Sequence, residues 1–269
     1  MRNDLDVIYV TFPPTQDRLR VYAIGDVHIG SPEFDLESVQ KKIDIIKNDE
    51  YGCVVICGDI ADFGLKNSKT NVYLQTMPPK EQQEFAYELF YPIKNKITAC
   101  VAGNHEYRIT KEVGTCPLYD LCVRWNIEDK YRENMAITKY SFGTVRGKKQ
   151  QNVFIGLTTH GSTRNKHHKF TGGFDGLDFA VSGHIHSPNY SPQGRIRISQ
   201  NGVAKHVPFK EIVVDANLQV GGYGVKHEYE IPPPPELQYL ELQVIYDTDR
   251  NRTAHRIMNY HSIQIIKGD

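Results

Sequence analysis

Three apolar runs in the first half of this chain end in the same way. Residues 20–25 (RVYAIG) run into Asp26-Val27-His28, residues 53–57 (CVVIC) into Gly58-Asp59-Ile60-Ala61-Asp62, and residues 97–102 (ITACVA) into Gly103-Asn104-His105-Glu106. Their length and β-branched content predict buried strands. Between them, residues 35–47 carry Leu36, Val39, Ile43 and Ile46 at three- and four-residue spacing, and residues 79–93 carry Phe85 and Leu89, so both read as helices. A strand-helix-strand-helix-strand rhythm requires a parallel or mixed sheet with helices packed on it. The carboxyl ends of such strands form the crevice where ligands bind, so the three Gly-Asp/Asn turns should converge there.

From Ala136 onward the pattern changes to strands, expected at 137–142, 153–158, 179–182, 195–198, 212–220, 237–245 and 255–266. Two sheets in one domain over 1–269 fit this best, with a motif-bearing core at about 20–190 and C-terminal strands at about 195–269 completing the second sheet. The last two strands flank a polar turn at 247–251, which predicts a hairpin on the edge of the second sheet that could pair with a second copy as a homodimer. The proline run 232–235 reads as a stiff connector, and the glycine-rich 221–224 lacks the strand-loop-helix setting of a dinucleotide loop.

Charge and cysteines narrow the classes further. With 32 Lys+Arg against 32 Asp+Glu, no global positive field is available for broad nucleic-acid binding. Asp4 and Asp6 interrupt the N-terminus, and no stretch approaches the ~20 apolar residues of a membrane span, so neither secretion nor membrane association is expected. The five cysteines are odd in number and lack a Cys-x-x-Cys pair, and three of them (Cys53, Cys57, Cys100) lie in strand-like runs. They read as reduced, small core residues of a cytoplasmic protein.

Two later strands also end in polar turns, at Thr158-Thr159-His160-Gly161 and Gly183-His184-Ile185-His186. The strand ends then offer two aspartates, one asparagine and four histidines as candidate ligands. Oxygen and imidazole donors without thiolate suit Mn²⁺, Fe²⁺, Zn²⁺ or Ni²⁺. Seven donors exceed the needs of one ion and suffice for two that share a carboxylate, an arrangement used to attack phosphoesters. Any one Gly-Asp or strand-end histidine is more often a plain turn or a hydrogen-bonded residue. Five such turns in one chain are not explained that way.

The ordered set Asp26-x-His28, Gly58-Asp59-x-x-Asp62, Gly103-Asn104-His105-Glu106, His160 and Gly183-His184-x-His186 resembles the calcineurin-like metallophosphoesterase superfamily. GNHEYRI and residues 67–82 resemble phosphoesterases of phages and their bacterial hosts. The resemblance implies an α/β fold, a four-layer α-β-β-α sandwich with two mixed β-sheets flanked by helices and the metal site at the strand carboxyl ends. It implies that Asp26, His28 and His186 hold one divalent ion, that Asn104, His160 and His184 hold a second, and that Asp59 bridges both. His105 would face the substrate as acid to the leaving group or as stabiliser of developing charge. Asp62 stands where purple acid phosphatases have a metal-binding tyrosine, which favours Mn²⁺ or another divalent pair, with Asp62 capping its turn or orienting a ligand. In-line attack by a metal-bridging hydroxide would then need no covalent intermediate.

Selectivity is expected from loops. Residues 61–77, and residues 161–174 (GSTRNKHHKFTGGF) directly after His160, read as long loops without secondary structure, the second carrying Arg164, Lys166 and His167. These three, with Arg108 beside the GNHE turn, are the candidate substrate contacts. A small nucleotide-like phosphodiester or phosphomonoester is the favoured substrate. The alternatives are a DNA or RNA nuclease of the repair-exonuclease type and, least favoured because the ligand set is intact, a non-catalytic binding module.

Overall fold

The computed structural model describes residues 3–66, 68, 72–144, 151–198, 201–221, 225, 234–246 and 254–266, with backbone alone at 144 and 164–167. A short strand absent from the sequence reading, β1 (Ile8–Thr11), precedes β2 (Arg18–Ile24), α1 (Leu36–Asn48), β3 (Gly52–Ile56), α2 (Pro79–Phe90) and β4 (Ile97–Val101). Two further helices, α3 (Asn104–Val113) and α4 (Pro117–Arg124), lead to β5 (Tyr131–Arg132). Then follow β6 (Met135–Thr144), β7 (Gln151–Thr159), α5 (Arg164–Gly172), β8 (Phe179–Ser182), β9 (Asn189–Ile198), β10 (Ala204–Val213), β11 (Glu236–Tyr246) and β12 (Ala254–Gln264).

The strands form two mixed six-stranded sheets, ordered β12-β11-β2-β3-β4-β5 and β1-β6-β7-β8-β10-β9. β3 shows why they stack. It is buried throughout, with Val54 and Ile56 packing with Val39, Ile43, Ala86 and Phe90 of the helices, and Cys53, Val55 and Cys57 packing with Tyr140, Phe154 and Val181 of the other sheet. A parallel strand covered on both faces needs such a continuous apolar run. The outer face of the second sheet carries a smaller cluster of Leu157, Leu177, Ala180 and Phe209 with Phe174 against it, just beyond α5. The fold is therefore α/β, with two mixed sheets flanked by helices.

Four expectations are corrected. The segment 161–174 is not a bare loop, because α5 forms within it; Thr171 donates to the buried Glu211 and His168 Nδ1 lies 3.0 Å from it, contacts that no local pattern encodes. The strand expected at 212–220 ends at Val213, because the following polar residues turn toward the Asp26 loop, where the Asn217 amide meets the Asp26 carbonyl. The C-terminal strands do not complete one sheet. β9 and β10 extend the second sheet, whereas β11 pairs with β2 of the first and buries Leu237, Leu240, Leu242 and Val244. The closing hairpin thus lies on the first sheet, with β12 as its outer strand. Its turn at 247–251 lies outside the described residues, as do Asn67, Lys69 and Asn71 of the 61–77 loop and most of the glycine-rich and proline runs.

Candidate metal centre

The turns after β2, β3, β4, β7 and β8 meet at one end of the two sheets, and the backbone there is unusual. Among the described residues, seven non-glycine residues have positive φ, and five of them are Asp26 (48°), His28 (53°), Asp59 (52°), His184 (72°) and His186 (56°). Left-handed backbone at such residues costs roughly 1–3 kcal/mol each and persists only where surrounding contacts hold it. Close approach is demanded as well. A Cβ on Gly183 would come within 2.5 Å of Asp26 Oδ2, and one on Gly103 would collide with the Asp59 carboxylate, so those turns admit only glycine.

Two sets of donors result. Asp26, His28 and His186 form one, with His28 Nε2 3.1 Å from His186 Nε2 and Asp26 Oδ1 3.4 Å from His186 Nε2. Asp59, His160 and His184 form another, with Asp59 Oδ2 3.2 Å from His160 Nε2. Asn104 Oδ1 joins the second set, 2.9 Å from His160 Nε2 and 2.8 Å from His184 Nδ1. Asp59 also groups with His28 and His105, so its carboxylate stands between the two sets.

The arrangement fits cations. Asp26 Oδ1 is buried without a hydrogen bond, an expensive state for a carboxylate oxygen that receives no positive charge. His160 Nδ1 lies 2.8 Å from the Cys57 carbonyl, which can only accept, so Nδ1 carries a proton and Nε2 is the nitrogen turned toward Asn104, His184 and Asp59, where a cation would take the place of its second proton. The potential is strongly negative. Although burial disfavours protonation, Asp59 and Asp26 push the His160 pKa up to about 10. Burial opposes ionisation of Asp59 too, yet the imidazoles around it hold its carboxyl well below the usual range.

Supporting groups fix these side chains. Asp59 Oδ1 accepts the His105 amide at 2.8 Å, and Asp26 Oδ2 accepts the His184 amide at 2.7 Å. Glu106, which has no role of its own in the motif pattern, is fully buried and accepts three amides, from Asp59 (2.9 Å), Ile60 (2.8 Å) and Gly103 (2.8 Å). Its position three residues after the Gly103 N-cap of α3 was the available signal, since an N3 glutamate returns to the cap amide. Asp62 orients rather than joins either set: its carbonyl lies 2.6 Å from His105 Nδ1, its Oδ1 3.2 Å from the same nitrogen, and its Oδ2 accepts from Gln75. Arg108 Nη1 donates to the Asp62 carbonyl at 3.2 Å, beside His105. The side chains of Arg164, Lys166 and His167 lie outside the described residues, and their backbone belongs to α5.

Oxygen and imidazole donors gathered at the strand ends of a two-sheet α/β sandwich define the metallophosphoesterase class. The chain belongs to the calcineurin-like phosphoesterase family, whose family model matches residues 19–188. Among solved structures it is similar to Vps29 of Chaetomium thermophilum, at 10% identity and a TM-score of 0.39, covering 91% of this chain and 98% of that one. It is also similar to the NAD nucleotidase NadN of Haemophilus influenzae, at 10% identity and a TM-score of 0.40, covering 92% of this chain and 50% of that one. GAP50, the anchor in the inner membrane complex of Plasmodium, aligns at 10% identity and a TM-score of 0.36, covering 94% of this chain and 90% of that one. No curated protein matches the sequence. Among the described residues, no helix is long and apolar enough to cross a membrane.

Proposed function

We propose that the protein is a phosphoester hydrolase that works with two divalent ions, Asp26, His28 and His186 holding one, Asn104, His160 and His184 the other, and Asp59 shared. The observation that carries this reading is the position of Asp59, which groups with His160 and His184 on one side and with His28 on the other. Bound there, the ions supply an activated water and charge neutralisation at the phosphoryl oxygens. Mn²⁺ is the favoured ion on the resemblance, and Fe²⁺, Ni²⁺ and Zn²⁺ are compatible with the same oxygen and imidazole donors.

The chain's own groups do the rest. Although burial opposes it, Asp59 and Asp62 favour the protonated imidazole of His105, with one proton on Nδ1 against Asp62 and the other on Nε2, 3.8 Å from Asp59 Oδ2, available to the leaving-group oxygen. Arg108, pinned by the Asp62 carbonyl beside His105, is placed to steady a substrate oxyanion. Arg164, Lys166 and His167 would add cationic contacts from α5. The favoured substrate is a small nucleotide-like monoester or diester, handled by a single domain in the cytoplasm.

A nuclease is the second reading, favoured by the α3 surface that continues from Asn104 through exposed Tyr107, half-buried Arg108 and exposed Lys111. Pairing of two copies along β12 belongs to the same proposal, and a monomer mass independent of concentration would remove it. The deciding experiment measures Mn²⁺-dependent hydrolysis of a nitrophenyl phosphomonoester, a nitrophenyl phosphodiester, cyclic and linear mononucleotides, and a labelled single strand. Turnover of the small esters alone supports the first reading, and degradation of the strand the second. No turnover of any substrate by protein carrying two ions would leave a binding module.

A further inference from the structure

The segment that follows β10 lies beyond the family match, yet it braces the first donor set. Asn217, 1% exposed, donates its backbone amide to the Asp26 carbonyl (2.9 Å) and its side-chain Nδ2 to the Gly25 carbonyl (2.9 Å). Its own carbonyl accepts from Asp35, the N-cap of α1, at 3.0 Å. One residue therefore holds both carbonyls of the turn in which Asp26 adopts left-handed backbone. The neighbouring Val214 amide is anchored to the Ser182 carbonyl at 2.7 Å, just before the Gly183-His184 turn.

The orientation of the Asn217 amide is itself fixed. Lys42, 2% exposed on α1, brings Nζ to 2.7 Å from Asn217 Oδ1. An ammonium can only donate, so the amide oxygen must face it and Nδ2 must face Gly25. Asp215 keeps the buried ammonium company at 3.7 Å, and is in turn held by the Glu236 amide (2.9 Å) and by Gln238, whose Oε1 accepts the Asp215 amide (3.1 Å). A buried cation is retained only where its partners compensate for lost hydration, and here they link α1 and β11 to the Asp26 turn.

We propose that Asn217, oriented by Lys42, is a positioning residue that sets metal affinity in the Asp26–His28–His186 set and leaves the Asn104–His160–His184 set untouched. This rests on the two-ion reading above. Partners of metal ligands commonly influence affinity about 10–100-fold. Because Asp26 is the one proposed metal ligand that Asn217 touches among the described residues, its effect should fall on one ion.

The test is calorimetric titration of Mn²⁺ into metal-free full-length protein, with His186→Ala and Asn104→Ala variants assigning the two binding events. Asn217→Asp keeps an oxygen for Lys42 but replaces the donor to Gly25 with an acceptor. It should weaken the His186-dependent event at least about tenfold and change the Asn104-dependent event less than about twofold. Should that variant fail to fold, Lys42→Met/Asp215→Asn removes the buried charges together, frees the amide to turn, and should weaken the same event alone. Two unchanged events, or two events weakened equally, would overturn the positioning role while leaving the two-ion reading intact. Wild-type protein that binds no Mn²⁺ would overturn both.

Discussion

The main-chain carbonyl of Asp62 lies 2.6 Å from His105 Nδ1 and can only accept, so a proton sits on Nδ1, and Nε2 lies 3.8 Å from Asp59 Oδ2. His160 holds the same tautomer against the Cys57 carbonyl, so what sets His105 apart is the Asp62 carboxylate 3.2 Å from its Nδ1 and, under the proposed function, its place against the substrate. His105→Ala should therefore keep full Mn²⁺ stoichiometry and lower kcat by about 10²–10⁴. Elemental analysis beside a nitrophenyl ester assay checks both halves. Loss of metal together with activity would return His105 to the ligands.

Glu106 carries a different kind of load. Its carboxylate accepts the amides of Asp59, Ile60 and Gly103, so two strand-end turns are tied through one buried side chain. In Glu106→Gln an NH₂ group must face at least one of these amides. The expected loss is about 2–3 kcal/mol of folding stability, the range for hydrogen bonds to a charged acceptor and a donor left unpaired. Urea unfolding of metal-free protein would show it as a lowered midpoint at unchanged slope.

Those contacts also mark what was legible in the sequence. Asp26, His28, Asp59, Asn104, His160, His184 and His186 could be picked out because each follows an apolar strand, a local pattern that places its side chain in the crevice. The helix at 164–172 was not legible. Its residues show no apolar stripe, and it is held by the pairing of Thr171 and His168 with Glu211, which is remote in sequence. Asn217 escaped for the same reason. Its partners, Lys42 and the Gly25 and Asp26 carbonyls, are brought to it only by the pairing of β10 with β8 and by the stacking of the sheets. Local periodicity cannot report which sheet a strand joins, so β11 was assigned to the wrong one.

Asp59 groups with His160 and His184 and, separately, with His28 of the other set, and its Oδ1 holds the His105 amide; the proposed function makes it the shared ligand. Asp59→Asn should reduce bound metal from two ions to one or none and abolish hydrolysis. The same logic makes metal a stabiliser of the wild type: an ion at 100 times its Kd adds about 2.7 kcal/mol. Chelation should lower Tm by roughly 5–10 °C for each such ion, about twice that for two, in a domain of this size, and Asp59→Asn should lose most of that response. A thermal shift with and without chelator measures it, and an equal shift in both proteins would count against a shared carboxylate.

Alkaline stability follows from the buried thiols and phenols. Burial raises the Cys53 thiol from 9.0 to about 12 and pushes Cys57 and Cys116 upward. For Cys122 the contact with Cys100 acts first and burial second, in the same direction. Burial likewise raises Tyr22, Tyr131 and Tyr140 above 10.0. Each folded-state value lies above its unfolded one, so the unfolded chain releases protons first as pH rises. The stabilisation is complete below the unfolded value and is lost as pH climbs from about 9 toward the folded values. Each group retained only in the folded state subtracts about 1.4 kcal/mol per pH unit. Urea midpoints of metal-free protein should be level from about pH 7 to 8.5 and fall steeply from about 9 upward, the thiols leading and the tyrosines following about one unit later. A midpoint that stays level to pH 10.5 would mean that these thiols and phenols ionise as readily in the folded core as in water.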